Sequence, residues 1–358
     1  MQRYVQAMGL RNVLSVACEA IFRIPTRPEP PNVFADEVWA TVLPKDLKNM
    51  TFAITGSSRG MGYELAKKIA ERGGNLILLN RGGQHTEKAR DEIAQLNKGG
   101  FTVMINCDLC DFASVRTAAE EVRKQTKTLD CLVLNAGLMA QKDVRTKDGY
   151  DIQMQANHLS HFLLTSLLFD VLEATAAAKG EARVVSHSSG ARRAPDAPLQ
   201  EDAFEKAWAP LVDGKPNPCV GDKFGKWRRY QQSKRANLAY TYALGDFIDS
   251  KPGCKVKALC CHPGATNSGL QSRTNASSWM DNFINGLAVV AGHSTDDGCL
   301  GLALATLKPD VSNNDFYGPL GLTGNATLLP DERDPSYSKQ QLHMLWDKSV
   351  AATGAKWS

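Results

Sequence analysis

Short apolar runs alternate with amphipathic stretches along most of the chain. After the first run, for example, MGYELAKKIAERGG (61–74) places apolar residues at helical intervals and ends at glycines. Strands that are apolar throughout and alternate with helices are typical of βαβ units. The pattern therefore predicts an α/β protein with a single Rossmann-type, doubly wound parallel sheet and helices on both faces. The predicted strands are MTFAIT (50–55), NLILLN (75–80), FTVMIN (101–106), LDCLVLN (129–135), ARVVSH (182–187) and CKVKALCC (254–261).

Three segments depart from this alternation and divide the chain. Residues 1–48 are predicted to be an N-terminal extension, a helix followed by the proline-rich linker PTRPEPPNVF (25–34). The α/β domain itself is predicted over residues 49–358. Within it, residues 191–226 contain five of the 16 prolines and are expected to be an insertion over the end of the sheet, and residues 319–358 to be a helical tail.

The N-terminal segment leaves the cellular location open. Its first 24 residues carry Arg3, Arg11 and Arg23 against one acid, Glu19, with apolar residues at roughly helical intervals. This pattern is typical of an organelle transit segment or an interfacial helix, which would bring the protein to a mitochondrion, a plastid or a membrane surface. The alternative is a helix that packs on the domain or on a partner chain in the cytoplasm. A homodimer also stays open.

Composition narrows the classes of protein. A net charge of +4 with 22% charged residues and no long basic run gives no case for a nucleic-acid partner. The nine cysteines are odd in number and irregularly spaced, which predicts reduced thiols in an intracellular compartment. Cys107 and Cys110 form a lone CxxC without a second pair, so no metal is assigned. The chain has no stretch of about 18 uninterrupted apolar residues, so no membrane span is predicted.

A glycine-rich turn, TGSSRGMG (55–62), joins the first predicted strand to the first helix. Glycine permits a tight turn and lets a pyrophosphate approach the backbone, while the helix N-terminus offers unpaired N–H groups. Because the turn lies between a strand and a helix, it predicts a dinucleotide site. The residues expected to contact the cofactor there are Gly56, Ser58, Arg59, Gly60, Met61 and Gly62.

The end of the second strand indicates which dinucleotide binds. An acidic residue at this place would favour the free ribose 2′-hydroxyl of NAD(H), but the sequence has Asn80 and Arg81. Arg81, with Arg59 from the glycine turn, could pair with a 2′-phosphate. NADP(H) is therefore predicted in preference to NAD(H), the alternative being that both arginines are simply solvated.

WRRYQQSKRAN (227–237) places Tyr230 and Lys234 four residues apart in a predicted helix. With 8 tyrosines and 42 Lys+Arg in 358 residues, about one basic residue should follow a tyrosine at this spacing by chance. Tyr63 and Lys67 have the same spacing, so spacing alone does not identify a site. The flanking Arg228, Arg229 and Arg235 are expected to form a solvated helix surface.

Taken together, these motifs resemble those of the short-chain dehydrogenase/reductase family over residues 50 to 350. The glycine spacing is similar to its cofactor motif, NAG (135–137) to the motif that closes its fourth strand, and YQQSK (230–234) to its catalytic motif. Four further segments resemble its retinol-dehydrogenase-like branch, with protochlorophyllide reductase as a nearby relative. They are ANHLSHFLLT (156–165), SSGA (188–191), HPGATNS (262–268) and LWDKSVAATG (345–354).

The resemblance implies a role for each matching residue of the reaction centre. Tyr230 would protonate the carbonyl oxygen in reduction, or act as the base in the reverse reaction. Lys234 would stabilise tyrosinate and bind the nicotinamide ribose. Ser189, with Ser188 as the alternative, would hydrogen-bond the substrate oxygen. Asn157 would hold a water that links Lys234 to solvent.

It also implies the remaining cofactor contacts. Asp108 in the CDL segment would contact the adenine beside Leu109, and the NAG residues Asn135, Ala136 and Gly137 would lie along the cofactor. Pro263 and Gly264 would shape the turn beneath the nicotinamide, and Thr266 would reach the carboxamide.

The function implied is an NADPH-dependent oxidoreductase that moves hydride between the nicotinamide and a carbonyl or alcohol of a lipophilic small molecule. Two alternatives stay open, an NADP(H)-binding sensor or scaffold with little turnover and a protochlorophyllide-type double-bond reductase. The stretch between Ser189 and Tyr230 is longer than the family usually has. A specific substrate is therefore not carried over.

Overall fold

The computed structural model describes residues 30–141, 144–193, 198–206, 211–212, 215–216, 225–266, 292–333 and 337–357. Its strands are β1 (Thr51–Thr55), β2 (Asn75–Asn80), β3 (Thr102–Asn106), β4 (Cys131–Leu134), β5 (Ala182–His187), β6 (Leu211–Val212), β7 (Lys215–Pro216), β8 (Val256–Cys261), β9 (Phe316–Gly318) and β10 (Thr327–Leu328).

The main sheet of the described chain has eight strands in the order β10-β9-β8-β5-β4-β1-β2-β3. Its neighbours pair in parallel except β9 and β10, which are antiparallel. The predicted parallel Rossmann-type sheet is confirmed, with all six predicted strands present. The two outermost strands were not predicted, because they are only three and two residues long.

Helices cover both faces of the sheet. They are α1 (Ala35–Thr41), α2 (Gly60–Ala70), α3 (Gln84–Leu96), α4 (Phe112–Gln125), α5 (Ile152–Met154), α6 (Ser160–Lys179), α7 (Gly225–Asp249), α8 (Thr295–Leu307) and α9 (Lys339–Thr353). Strand side chains alternate between two cores. Ala53 and Val184 face the core beneath α4, α6, α7 and α9. Phe52 and Val185 face the core beneath α1, α2 and α8.

Helix α1 belongs to the folded domain, although the sequence pattern assigned it to the extension that ends at residue 48. Trp39 is 4% exposed and Leu47 1% exposed, and both lie in the core beneath α2 and α8. The carboxylate of Asp297 also accepts hydrogen bonds from the backbone N–H groups of residues 33 to 35 at 2.8–2.9 Å. The compact unit therefore starts earlier than residue 49. The predicted helix near the N-terminus lies outside the described residues.

The predicted insertion and tail are described only in part. In the insertion, a 3₁₀ turn at Glu201–Phe204 buries Ala203 and Phe204, and β6 pairs with β7 as a short antiparallel ribbon. The tail forms the predicted amphipathic helix α9, which buries Leu342 and Leu345. It meets the 3₁₀ turn through a salt bridge of 2.8 Å between Lys348 and Glu201.

One helical stretch in the described chain, Ile152–Lys179, is long and apolar enough to cross a membrane by length and composition. It includes α5, a π-helical turn at Gln155–Leu159 and α6. Phe162, Leu164 and Leu168 are fully buried, and α6 packs against α4 and β5. In this structure it is a core helix beside the sheet.

Candidate active site

The glycine turn connects β1 to α2 in close contact with the end of β4. Gly56 has φ +70°, and a Cβ atom there would lie 2.8 Å from the Cα of Ala136. A Cβ atom on Gly62 would lie 2.5 Å from the carbonyl oxygen of Gly56. Arg59 at the helix N-cap makes no side-chain cap. The turn therefore requires glycine on steric grounds and leaves the first N–H groups of α2 for a ligand.

Two asparagines hold this turn in place. Asn135 donates from Nδ2 to the carbonyl oxygens of Thr55 and Gly56, both at 3.0 Å. Asn80 accepts from the backbone N–H of Ser57 at 2.8 Å and donates to its hydroxyl at 3.0 Å. The side chain of Asn80 is therefore engaged with the turn, and Arg81 is the residue at the end of β2 that faces solvent.

A cavity of about 610 Å³ runs along the carboxyl ends of the strands, as expected for ligand sites of open α/β sheets. It brings together most of the predicted site residues. They are Gly56, Ser58, Arg59, Gly60, Met61, Arg81, Asp108, Leu109, Asn135, Ala136, Gly137, Ser188, Ser189, Tyr230, Lys234 and Pro263. The described lining does not include Gly62, Asn157, Gly264 or Thr266.

Tyr230, Ser189 and Lys234 form one cluster at the cavity. Tyr230 and Lys234 are 4% and 5% exposed, and the hydroxyl groups of Tyr230 and Ser189 are hydrogen-bonded. The Nζ of Lys234 donates to the carbonyl oxygen of His187 at 2.9 Å. Ser188 instead uses its hydroxyl to donate to the carbonyl oxygen of Lys234 at 2.7 Å. Of the two serines, only Ser189 has its hydroxyl on the tyrosine.

Burial changes the acid–base properties of this cluster. It raises the pKa of Tyr230, an effect that the Ser189 hydroxyl opposes. It lowers the pKa of Lys234 to about 8. The tyrosine is therefore held as a phenol and the lysine titrates close to physiological pH, which is the range that proton transfer requires.

Asn157 lies behind the cluster, on the π-helical turn. Its Oδ1 accepts from the N–H of Leu138 at 2.7 Å, and its Nδ2 donates to the Leu138 carbonyl oxygen and to the Ser233 hydroxyl, both at 2.9 Å. A Cβ atom on Gly137 would meet Lys234 Nζ at 3.2 Å and Asn157 Oδ1 at 3.3 Å, so both groups lie against this glycine. Such π-turns occur frequently at functional sites.

Thr266 and Gly264 belong to the loop after β8. Gly264 has φ +67°, and a Cβ atom there would lie 2.6 Å from the carbonyl oxygen of Leu322. Thr266 is 3% exposed, and its hydroxyl donates to the Pro263 carbonyl oxygen at 3.0 Å. The glycine is therefore required by the turn. Thr266 packs within the protein, and its predicted reach to a carboxamide stays a prediction.

The family of the chain follows from a comparison with known proteins. Residues 50–199, from β1 through the cavity-lining end of β5, match the model of the short chain dehydrogenase family. Over these residues the chain is similar to the short-chain dehydrogenase/reductase family. The resemblance of the sequence motifs to this family, including its retinol-dehydrogenase-like branch, is confirmed.

Several curated proteins are similar to this protein over about 225 residues. An uncharacterized oxidoreductase of Schizosaccharomyces pombe is 34% identical, over 63% of this chain and 62% of its own. Retinol dehydrogenase 12 of Homo sapiens is 31% identical, over 63% and 64%. The chloroplastic short-chain dehydrogenase TIC 32 A of Brassica napus is 29% identical, over 63% and 66%. The match thus spans less than two thirds of the length of each relative.

Solved structures share the fold at lower identity. An uncharacterized protein from Mycobacterium paratuberculosis has a TM-score of 0.64 at 24% identity and covers 89% of this chain and 98% of its own. A protein of Shigella flexneri, described as a short chain dehydrogenase and complexed with NADP, has 0.54 at 19%, covering 77% and 99%. A 3-ketoacyl-(acyl-carrier-protein) reductase from Brucella melitensis, complexed with NADH, has 0.55 at 19%, covering 76% and 97%. The neighbours of this dehydrogenase fold thus bind either nicotinamide cofactor.

Two of the three arginines around Tyr230 in this protein are not solvated, contrary to the prediction. Arg229 is 1% exposed and forms a salt bridge of 3.1 Å with Asp151, itself 1% exposed. Arg235 is 5% exposed and lies over the ring of Tyr337 at 5.6 Å. Arg228 is exposed, as predicted. Helix α7 is enclosed on most of its surface, so its charged residues do not mark a solvent face.

A buried polar network behind the cavity was not predicted. His161 contacts the Thr55 hydroxyl through Nε2 at 3.0 Å and the Asn157 carbonyl oxygen through Nδ1 at 3.1 Å. His187 contacts Asn135 Oδ1 through Nδ1 at 3.0 Å. These partners are far apart in sequence, and a histidine inside an apolar run carries no signal of its own. Only the fold brings the glycine turn, the NAG segment and Lys234 together.

Proposed function

We propose that this protein is an NADPH-dependent oxidoreductase that reduces a carbonyl group, or oxidises the corresponding alcohol, on a lipophilic small molecule. One observation carries the proposal. A single cavity has the glycine turn and Arg81 along its length and the bonded hydroxyls of Tyr230 and Ser189, with Lys234, in its wall. A nicotinamide cofactor supplies the hydride when bound.

The residues present fit such a cofactor. A Cβ atom on Gly56 would clash with Ala136, so glycine is needed for the tight turn at which a pyrophosphate can approach the backbone. The N-terminal N–H groups of α2 provide hydrogen-bond donors for its charge. The ammonium of Lys234 is a donor for the ribose hydroxyls.

In carbonyl reduction the chain's own residues would handle the proton. Tyr230, with its pKa raised by burial, holds the proton that the carbonyl oxygen takes up. Ser189 places a second hydroxyl beside it and would hold the substrate oxygen in line. The positive charge of Lys234 would stabilise the tyrosinate that remains. Because the Ser188 hydroxyl is engaged with the backbone of Lys234, Ser189 is the better candidate for substrate contact.

NADP(H) is the proposed cofactor rather than NAD(H). Arg59 and Arg81 both line the cavity, and both are exposed. The end of β2 has no acidic residue, and its last residue, Asn80, is hydrogen-bonded to the glycine turn. Two guanidinium groups suit a 2′-phosphate, which accepts bidentate charge-assisted hydrogen bonds.

The lipophilic character of the substrate rests on two observations. Leu109, Leu138 and Ala156 give the cavity an apolar wall, and Trp227 packs edge-on against Tyr230 with ring centroids 6.4 Å apart. In addition, one relative is a retinol dehydrogenase by name.

A substrate panel tests the proposal. Retinoid, steroid, fatty and aryl aldehydes and ketones are incubated with NADPH, and its oxidation is followed for the wild type and Tyr230→Phe. Turnover of at least one carbonyl by the wild type alone is expected. Tight NADPH binding without turnover of any compound would favour a sensor or scaffold. Turnover of a tetrapyrrole only in light would favour a double-bond reductase.

A further inference from the structure

We infer that His187 is a cofactor-contacting residue whose Nε2 accepts a hydrogen bond from the nicotinamide nucleoside half of the bound cofactor. The inference rests on the proposed function and adds a residue that the sequence motifs did not indicate. His187 ends β5, two residues before Ser189, and lines the cavity together with Asn135, Lys234 and Pro263.

The hydrogen-bond network determines which ring nitrogen of His187 carries the hydrogen. The Asn135 amide donates from Nδ2 to two carbonyl oxygens, of Thr55 and Gly56, which assigns the orientation of this amide. Its Oδ1 then lies 3.0 Å from Nδ1 of His187. Because an amide oxygen only accepts, Nδ1 must be the donor.

The surroundings of His187 keep the ring neutral. The ring is 4% exposed, and the ammonium of Lys234 is bonded to the carbonyl oxygen of the same residue. Burial first, and then the charges of Lys234, His262 and His161, hold the pKa of His187 well below its usual range. A neutral imidazole with its hydrogen on Nδ1 has a free lone pair on Nε2.

This lone pair is available to a ligand. The described residues supply no hydrogen bond to Nε2, while His187 is one of the residues that line the cavity. Two neighbouring donors are directed at the backbone of His187 rather than at its ring. Lys234 Nζ and Asn237 Nδ2 both donate to the His187 carbonyl oxygen at 2.9 Å. Nε2 is therefore an acceptor without a donor in the part of the chain that the structure describes.

The nicotinamide nucleoside offers two kinds of donor, the carboxamide N–H groups and the ribose hydroxyls. Either kind of donor, if it contacts the buried wall of the cavity, needs a neutral acceptor there. Lys234, a pure donor, can satisfy only the acceptor side of the ribose hydroxyls. His187 complements it as an acceptor beside the same cluster.

Binding measurements on two variants test the inference. His187→Val removes the acceptor, whereas His187→Gln keeps one. Dissociation constants are measured by calorimetry for NADPH and for adenosine 2′,5′-bisphosphate, which lacks the nicotinamide and its ribose. His187→Val should bind NADPH about 10-fold more weakly and the nicotinamide-free fragment as the wild type does. His187→Gln should recover most of the NADPH affinity.

Other results would overturn the inference. Unchanged NADPH affinity in His187→Val, or an equal loss for NADPH and the fragment, would show a structural role only. Failure of the wild type to bind NADPH at all would instead reject the proposed function. If the 3-acetylpyridine analogue of NADP, which lacks the carboxamide N–H groups, is insensitive to His187→Val, the donor is the carboxamide. Continued sensitivity identifies the ribose.

A spectroscopic readout is independent of affinity. In the full-length protein labelled with ¹⁵N-histidine, the His187 signals are assigned by their loss in His187→Gln. Nε2 should resonate as an unprotonated nitrogen and shift towards the hydrogen-bonded range when NADP is added. A hydrogen on Nε2 in the free protein, or an unchanged Nε2 signal at saturation, would contradict the inference.

Discussion

Two Tyr–Lys pairs with the same four-residue spacing lie in this chain, and their surroundings differ. On α2, the Tyr63 hydroxyl donates to Glu92 at 2.6 Å, and Lys67 forms a salt bridge of 2.8 Å with Glu64. On α7, Tyr230 bonds to the hydroxyl of Ser189 and Lys234 to a backbone carbonyl, both beside the cavity.

The difference shows what spacing can and cannot decide. Residues four apart on a helix share a face, so both pairs are side by side. The carboxylate of Glu92 adds to burial in raising the pKa of Tyr63, and it also occupies the hydroxyl. Tyr230 instead has the neutral hydroxyl of Ser189 as its partner, and it lines the cavity. The residues around a Tyr–Lys pair, rather than its spacing, therefore distinguish a candidate reaction centre from an ordinary helix surface.

The largest expected difference between the pairs is in turnover. Tyr230→Phe removes the proposed proton donor, so kcat with a carbonyl substrate should fall by about 10²–10⁴-fold. Tyr63→Phe should leave kcat within about 2-fold, since its hydroxyl contacts a surface carboxylate. Steady-state kinetics with NADPH measure both. Equal kcat values for the two variants would remove the distinction between the pairs.

The arginines next to Tyr230 extend the comparison to stability. Arg229→Met leaves the buried Asp151 carboxylate uncompensated and should lower the free energy of unfolding by about 3–5 kcal/mol. Arg228→Met, one residue earlier and exposed, should change it by less than about 0.5 kcal/mol. Urea unfolding compares them. The double variant Asp151→Asn with Arg229→Met should recover part of the loss, and equal effects of the two arginine variants would contradict the buried pair.

Cofactor choice should depend on Arg81. Arg81→Ala removes the proposed charge-assisted hydrogen bond to the 2′-phosphate, so NADPH should bind about 10–100-fold more weakly while NADH is unaffected. Lys88→Ala, an exposed cation on α3 outside the cavity lining, is the matched control. A parallel loss for NADPH and NADH would show that Arg81 does not read the phosphate.

The smallest expected effect is a pH dependence of binding. Burial lowers the pKa of Lys234 to about 8, and the proposed contact with the cofactor needs its ammonium form. NADPH affinity should thus be constant below pH 8 and fall above it, by about 10-fold at pH 9. Lys234→Met should abolish this dependence, and Lys67→Met should preserve it. Calorimetric titrations between pH 6 and 9 measure it, and a flat wild-type profile would be inconsistent with the assignment.

Much of the fold followed from the sequence because it depends on local pattern. Strands β1 to β5 and β8 are apolar runs bounded by glycine or by polar residues, and the glycine turn is a contiguous motif. Strands β9 and β10 are too short to show a period. Helix α1 was placed outside the domain, because its docking depends on Asp297, more than 260 residues away in sequence.

The candidate site likewise contains residues that local motifs predicted and residues that they did not. Tyr230, Lys234 and Arg81 were predicted because motifs place them at strand ends or helix starts. The burial of Arg229 and the role of His187 depend on partners that the chain brings from elsewhere, Asp151 and Asn135. Polarity along α7 suggested a solvent face for arginines that in fact pair inside the protein.

Transfer of a labelled hydride tests the central claim most directly. The protein is incubated with NADPH that carries deuterium at both C4 positions of the nicotinamide and with a carbonyl compound that it turns over, and the alcohol product is analysed by mass spectrometry. Deuterium should appear at the carbinol carbon with the wild type and with Tyr63→Phe, and at most in traces with Tyr230→Phe. Product without deuterium, or labelled alcohol formed by Tyr230→Phe as fast as by the wild type, would contradict a hydride transfer that depends on the Tyr230–Lys234 pair.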